Sequence, residues 1–155
     1  MKYTHKISNS FELKVSCFER LVEVGSERWG LCHAPSMFPF MSFEFLHGLE
    51  VTRCVGGETG WEPRYLVAEL EGEVWGAMAV YKKTNSQGEF IFDWAWADAA
   101  YRVGLPYYPK LTATVPFSPV TGPRFLVAEV ASSYTQEVHD ALIEALRQLA
   151  IDESA

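Results

Sequence analysis

The sequence predicts a mixed α+β domain built on a largely antiparallel sheet with flanking helices. Two runs rich in β-formers, YLVAEL and EVWGAMAVYKK, are separated only by Glu71 and Gly72. So short a glycine-containing connection joins strands as a hairpin. Further on, RFLVAEV leads into SSYTQEVHDALIEALRQLA, an apolar run followed by an amphipathic segment. Strands grouped apart from helices point to α+β rather than to a regular alternation.

The chain has 155 residues, 48% of them hydrophobic and 21% charged. That suits one domain spanning 1–155, which buries roughly two thirds of the surface of its unfolded chain. The composition is that of a globular protein and not of a disordered one.

Residues 11–15 predict a first strand. Residues 16–24 and 26–33 have helix-compatible spacing interrupted at Gly25, and Pro35 and Pro39 mark a loop. Ser42 is a candidate N-cap for FEFLHGLE, where Phe45, Leu46 and Leu49 form one stripe. Gly56, Gly57 and Gly60 read as a surface loop before the hairpin.

After the polar connection at 84–88, Phe90, Phe92, Trp94 and Trp96 recur with period two, which predicts extended structure at first. A short helix then runs to about residue 102, and Gly104 and Pro106 end it. The switch falls near Asp93. Five prolines in 105–123 make a poor helix host, although LTATV can form a short strand. RFLVAEV predicts one buried strand. In the last helix, Ser133 and Gln136 fit a capping box, and Val138, Leu142, Ala145, Leu146 and Leu149 form the buried stripe.

Thirteen basic against twenty acidic residues give a formal charge of −7. Without a Lys/Arg run, this disfavours nucleic acid as a partner of the chain alone, and likewise anionic membranes. The polar opening MKYTHKISNS lacks the apolar core of a signal peptide, and no apolar run approaches a membrane span, so a cytoplasmic protein is expected. Cys17, Cys32 and Cys54 are odd in number and form no C-x-x-C pair, so free thiols are expected and a metal site is not. The scattered histidines and the adjacent Cys32 and His33 lack the geometry of a metal or nucleophilic centre.

Nucleotide-binding, serine-hydrolase and zinc-peptidase motifs are absent from the sequence. The densest group of chemically able side chains is Asp93, Trp94, Trp96 and Asp98, followed by Tyr107, Tyr108 and Lys110. Aromatic walls around a few polar groups describe many ligand pockets. A carboxylate beside tryptophan can be pushed up in pKa by desolvation and serve as a general base. Equally, the aromatics could be core, with Asp93 or Asp98 capping a helix. Arg124, in VPFSPVTGPR, could clamp an anionic group or stand at the surface where a strand begins.

The stretch from Asn85 to Val127 resembles a known family. Its marks are Ser86, Gln87, Gly88 and Glu89, then Phe92, Asp93, Trp94, Trp96, Ala97 and Asp98, then YYPK at 107–110 and PFSPVTGPR at 116–124. Weaker similarity continues upstream, so the resemblance covers about 38–130. It is similar to the bacterial predicted N-acyltransferases of the GNAT superfamily, kin to the Fem-type peptidoglycan aminoacyltransferases. The resemblance implies a GNAT-like fold and attack of a small-molecule or peptide amine on an activated acyl or aminoacyl group. Asp93 would be the base, Trp94, Trp96, Asp98, Tyr107 and Tyr108 would line the pocket, and Lys110 or Arg124 would orient an anionic group.

The family pattern implies no intrinsic cofactor, with acyl-CoA or an aminoacyl-tRNA as co-substrate. Two departures stand out. Family members contain two GNAT-like halves, and this chain matches the first, which implies a missing C-terminal half or a homodimer that replaces it. The strand–helix junction AEVASSYTQ also has no glycine, whereas acetyl-CoA enzymes hold the pyrophosphate on a glycine-rich turn there. A non-catalytic half-domain acting in partner binding is the alternative.

Overall fold

A computed structural model describes residues 1–6, 12–33 and 38–155, with the backbone alone at 5 and 6. Six strands are described: β1 Lys2–Lys6, β2 Glu12–Phe18, β3 Trp61–Leu70, β4 Glu73–Lys83, β5 Lys110–Thr112 and β6 Leu126–Val127. Five helices accompany them: α1 Leu21–Val24, α2 Ser26–Gly30, α3 Phe43–Val51, α4 Trp94–Arg102 and α5 Thr135–Asp152. The sheet order is β1-β2-β3-β4-β5, and every pairing is antiparallel. β6 joins the same edge of β4 further along, opposite Gly76 and Ala77.

β3 and β4 are apolar without alternation because both of their faces are covered. On one face Leu66, Ala68, Met78 and Val80 meet Leu13 and Val15 of β2 and the α5 stripe. On the other, Tyr65, Val67, Ala77 and Ala79 meet Leu21, Val24, Trp29 and Leu46 of the first three helices. The result is a three-layer α/β/α sandwich. Full burial of one such aliphatic side chain contributes roughly 1.5–3 kcal/mol.

Close approach of α5 depends on Gly76, since a Cβ there would lie 2.3 Å from Cγ1 of Val138. At the far end of α5, Glu153 accepts from Arg64 at 2.7 Å and from Lys82 at 2.6 Å, and Tyr3 donates to Asp152 at 3.2 Å. These contacts tie the helix to the first strand and to the central hairpin.

The α+β class, the hairpin, the break at Gly25 and the helix after Ser42 are as expected. Glu71 and Gly72 have φ of 51° and 91°, the positive values of mirror-image hairpin turns. Ser42 accepts from the Phe45 amide at 3.2 Å.

Other expectations need correction. The strand placed at 11–15 is β2, which takes in Ser16–Phe18 at the expense of the helix expected there, and β1 precedes it. Phe11 and Pro35 lie outside the described residues. No strand forms over 89–93, and Trp94 and Trp96 belong to a helix that starts immediately after Asp93. RFLVAEV contributes only the two residues of β6 before a 3-10 helix at Glu129–Tyr134, which occupies the glycine-free junction. That turn absorbs Ser133, so no capping box forms, and α5 starts without a side-chain cap. Val138, Ala141, Leu142, Ala145 and Leu149 are buried as the stripe requires, while Leu146 is only partly so.

Candidate functional site

A polar cluster forms where β4 ends and β5 begins. Its frame is the loop Ser86–Gln87–Gly88–Glu89, pinned against Trp61. The Trp61 indole N–H donates to the Gln87 carbonyl at 2.9 Å, and the Lys83 ammonium donates to the same oxygen. That ammonium also lies 3.8 Å from the centre of the Trp61 ring. Gly88 has φ 75°, and a Cβ there would stand 2.6 Å from the Trp61 Nε1 and 2.5 Å from Phe117, so only glycine fits. The Phe117 amide closes the frame by donating to the Gly88 carbonyl at 3.1 Å.

Two chain segments place charged groups against this loop. Asp93 is positioned by the start of α4, and Lys110 by pairing of β5 with Lys83 of β4. Lys110 donates to the Asp93 carboxylate and is 2.9 Å from that of Glu89. Tyr108 donates to Asp93 at 3.2 Å and shares a hydrogen bond with the Ser86 hydroxyl. The Tyr107 ring crosses that of Tyr108 edge-on at 5.0 Å, and Lys110 lies 5.3 Å from the Tyr107 ring centre.

The electrostatics follow from these contacts. Burial pushes the Asp93 carboxyl up, but the hydrogen bond from Lys110, its positive charge and the neighbouring hydroxyls outweigh it, holding the group well below the usual carboxylate range. The expectation of a raised Asp93 pKa is therefore wrong, because Lys110 stands where solvent exclusion alone was expected. Burial lowers the Lys110 pKa, yet hydrogen bonds to Asp93 and Glu89 overcome this and hold it above the ordinary value. Lys83 is fully buried, no carboxylate contacts it among the described residues, and burial brings it down to about 8.

Among the eight residues expected at the site, Asp93, Tyr107, Tyr108 and Lys110 come together. Trp94 and Trp96 are not walls of this cluster; they are 55% and 73% exposed, and Trp94 stacks on Phe92 at 4.5 Å. Asp98 pairs with Arg102 on the helix surface at 2.6 Å. Arg124 fastens its own loop, donating to the carbonyls of Val120 at 3.0 Å and Gly122 at 3.2 Å. Sequence reasoning gave no site role to Ser86, Glu89, Lys83 or Trp61, although Ser86 and Glu89 were marks of the resemblance.

Beside the cluster is a cleft of about 180 Å³ lined by Trp61, Glu89, Phe90, Thr112, Thr114 and Ser118. Glu89 is the carboxylate that the cleft and the cluster share. The arrangement offers a fixed cation, two carboxylates and two hydroxyls next to a small polar opening. Among the described residues there is no group of three His, Cys, Asp or Glu side chains able to hold a metal ion, and no helix is long and apolar enough to cross a membrane.

A curled antiparallel sheet with flanking helices and a polar cluster at one strand end places the chain in a class compatible with the GNAT-like fold. The sequence matches the model of the FemAB-like family, described as peptidoglycan biosynthesis/recognition, over residues 20–155. The chain belongs to that family, and so to a peptidoglycan-related group of proteins. No curated protein and no solved structure matches it.

Proposed function

We propose that the chain is a transferase domain that moves an activated acyl or aminoacyl group to a substrate amine in peptidoglycan metabolism. The observation that carries this reading is the meeting of Asp93, Lys110, Tyr108 and Glu89 beside a cleft that Glu89 lines, all on segments that bear the family resemblance. In the reaction the amine nitrogen bonds to the acyl carbon, and the bond to the donor's thiol or hydroxyl breaks. A fixed cation favours the negative charge that develops on the carbonyl oxygen.

In this reading Lys110 supplies that cation, or holds an anionic group of the substrate. Asp93 keeps Lys110 charged and aimed, and its depressed basicity leaves the amine's proton to Glu89, which lines the cleft. The donor would be an acyl-CoA or an aminoacyl-tRNA. A CoA pyrophosphate would need anchors other than the glycine-free 3-10 helix at Glu129–Tyr134.

The test is transfer to peptidoglycan-type amines from a panel of acyl-CoA and aminoacyl-tRNA donors. Turnover by the native chain, lost in Glu89→Gln and Lys110→Met with folding intact, is the expected result. Turnover that survives both substitutions would refute the assignment.

A second reading, non-catalytic partner binding or dimerisation, is favoured by one observation. α4 buries none of its residues, and Phe90, Ile91, Trp96, Tyr101, Val103 and Leu105 are exposed on it and beside it. Exposed apolar surface on this scale marks an interface. A solution mass above that of the monomer, reduced by Trp96→Ser, would support this reading; a monomer unaffected by the substitution would count against it.

A further inference from the structure

A broad cleft lies away from the Asp93 cluster. It encloses about 900 Å³ between the end of β2, the C-terminus of α3, the Gly56–Gly57 turn and the start of β3. That is within the size range of small-molecule sites. Its charged lining has both signs, with four glutamates against three arginines.

Part of that charge is spent on the fold. Arg64 donates to Glu153 at 2.7 Å, to Glu62 at 3.2 Å and to the Pro63 carbonyl at 2.8 Å. Glu50 accepts the Leu21 amide at 2.9 Å and so caps α1. The remainder is uncommitted: among the described residues the side chains of Glu19, Arg20, Arg53 and Glu58 have no hydrogen-bond or ion-pair partner. These four side chains are exposed, two of each sign, where a ligand carrying both charges can reach them.

The wall carrying these groups is conformationally specified. Arg53 has φ 59°, a left-handed conformation that costs a residue with a side chain roughly 1–2 kcal/mol. Its amide donates to the Glu50 carbonyl at 3.0 Å, which fixes the turn at the end of α3. Gly56 and Gly57, with φ of 84° and 56°, bring the Glu58 turn across the opening.

The sign balance selects the ligand. A nucleotide or other polyanion would bring its charge against Glu19 and Glu58 as well as against Arg20 and Arg53. A purely cationic ligand would leave Arg20 and Arg53 facing positive charge. We propose that this cavity binds a short peptide with free termini, its carboxylate on Arg20 and Arg53 and its ammonium on Glu19 and Glu58. An extended tetrapeptide is at most about 14 Å long, a span suited to a cavity of this size. The proposal stands apart from the transferase reading, since it concerns binding at a different site.

Calorimetric titration of the intact chain with tetra-alanine, its N-acetylated form and its C-terminal amide tests it. Saturable binding of the free peptide, weakened at least about fivefold by either cap, is expected. The surface double variant Arg20→Ala with Arg53→Gly, the second a change that positive φ accepts, should lose at least about tenfold in affinity with its Tm retained. Glu58→Gln should weaken the free peptide and leave the N-acetylated one unchanged, and Asp93→Asn should alter neither. Equal binding of all three peptides, undiminished binding by the double variant, or no saturable binding at millimolar peptide would overturn the proposal.

Discussion

Asp93 and Lys110 stand seventeen residues apart in sequence, on a helix start and a strand start, yet the carboxylate of one receives the ammonium of the other. Glu89 on a third segment holds the same ammonium at 2.9 Å. The pair is therefore the knot through which the β4–β5 connection keeps its shape. Asp93→Asn should lower stability by about 2 kcal/mol, because it leaves a half-buried lysine with a single carboxylate. The sign with pH follows from the depressed carboxyl. Its contribution is complete above about pH 4 and is lost as acid protonates it. Urea melts of the two proteins should be well separated at pH 7 and draw steadily together as the pH falls below about 4; constant separation would show that charge is not the cause.

Lys83 should behave in the opposite sense. Its folded pKa of about 8 is below the unfolded value near 10.4, so the cost of burying its charge is present in full below pH 8. Between those values the unfolded chain holds a proton that the folded one has released, and stability rises with pH. Lys83→Met should therefore be tolerated at pH 7. The Gln87 carbonyl that Lys83 serves still accepts from Trp61 at 2.9 Å and is not orphaned. Urea melts at pH 7.5 and 9.5 should show the native chain gaining about 1 kcal/mol relative to the variant, and an equal response would remove Lys83 as the titrating group.

Gly76 is the point at which β4 admits α5. Gly76→Val should cost about 3 kcal/mol or more, since its first carbon alone would overlap Val138. Thermal unfolding should register a loss of roughly 6–12 °C. The same substitution at Gly30, where a Cβ meets nothing within 4 Å, provides the comparison.

The two serine caps read from sequence should separate on mutation. Ser42→Ala removes an acceptor from the Phe45 amide and should cost about 1 kcal/mol. Ser133→Ala should stay within about 0.5 kcal/mol, since α5 has no side-chain cap at its start. Denaturant midpoints at constant m-value measure both, and equal losses would contradict the cap assignment.

What was legible in the sequence was whatever local chemistry decides. The hairpin announced itself through a two-residue connection ending in Gly72, and α3 through a serine with an amide three residues on. β1 was not legible, because KYTHK carries no apolar alternation and becomes a strand by pairing with β2. The period-two spacing of Phe90, Phe92, Trp94 and Trp96 misled because no neighbouring strand takes up those backbone groups, and helix propensity over the alanines prevailed. At the site, Asp93, Tyr108 and Lys110 could be named as chemically able groups. Their mutual pairing, which reverses the direction of the Asp93 shift, depends on a connection whose path the prolines set and the sequence does not spell out.

The contact of Tyr3 with Asp152 has a temporal side. β1, β2 and the hairpin leave the ribosome long before α5, and the sheet face that α5 covers includes Leu13, Val15, Leu66 and Met78. During synthesis that face is open apolar surface with nothing of its own chain to shield it. A nascent chain with such a face uncovered is prone to aggregation until residues 135–152 emerge. Ribosome-stalled lengths cut before and after that helix would reveal the interval as a change from protease-sensitive to protease-resistant.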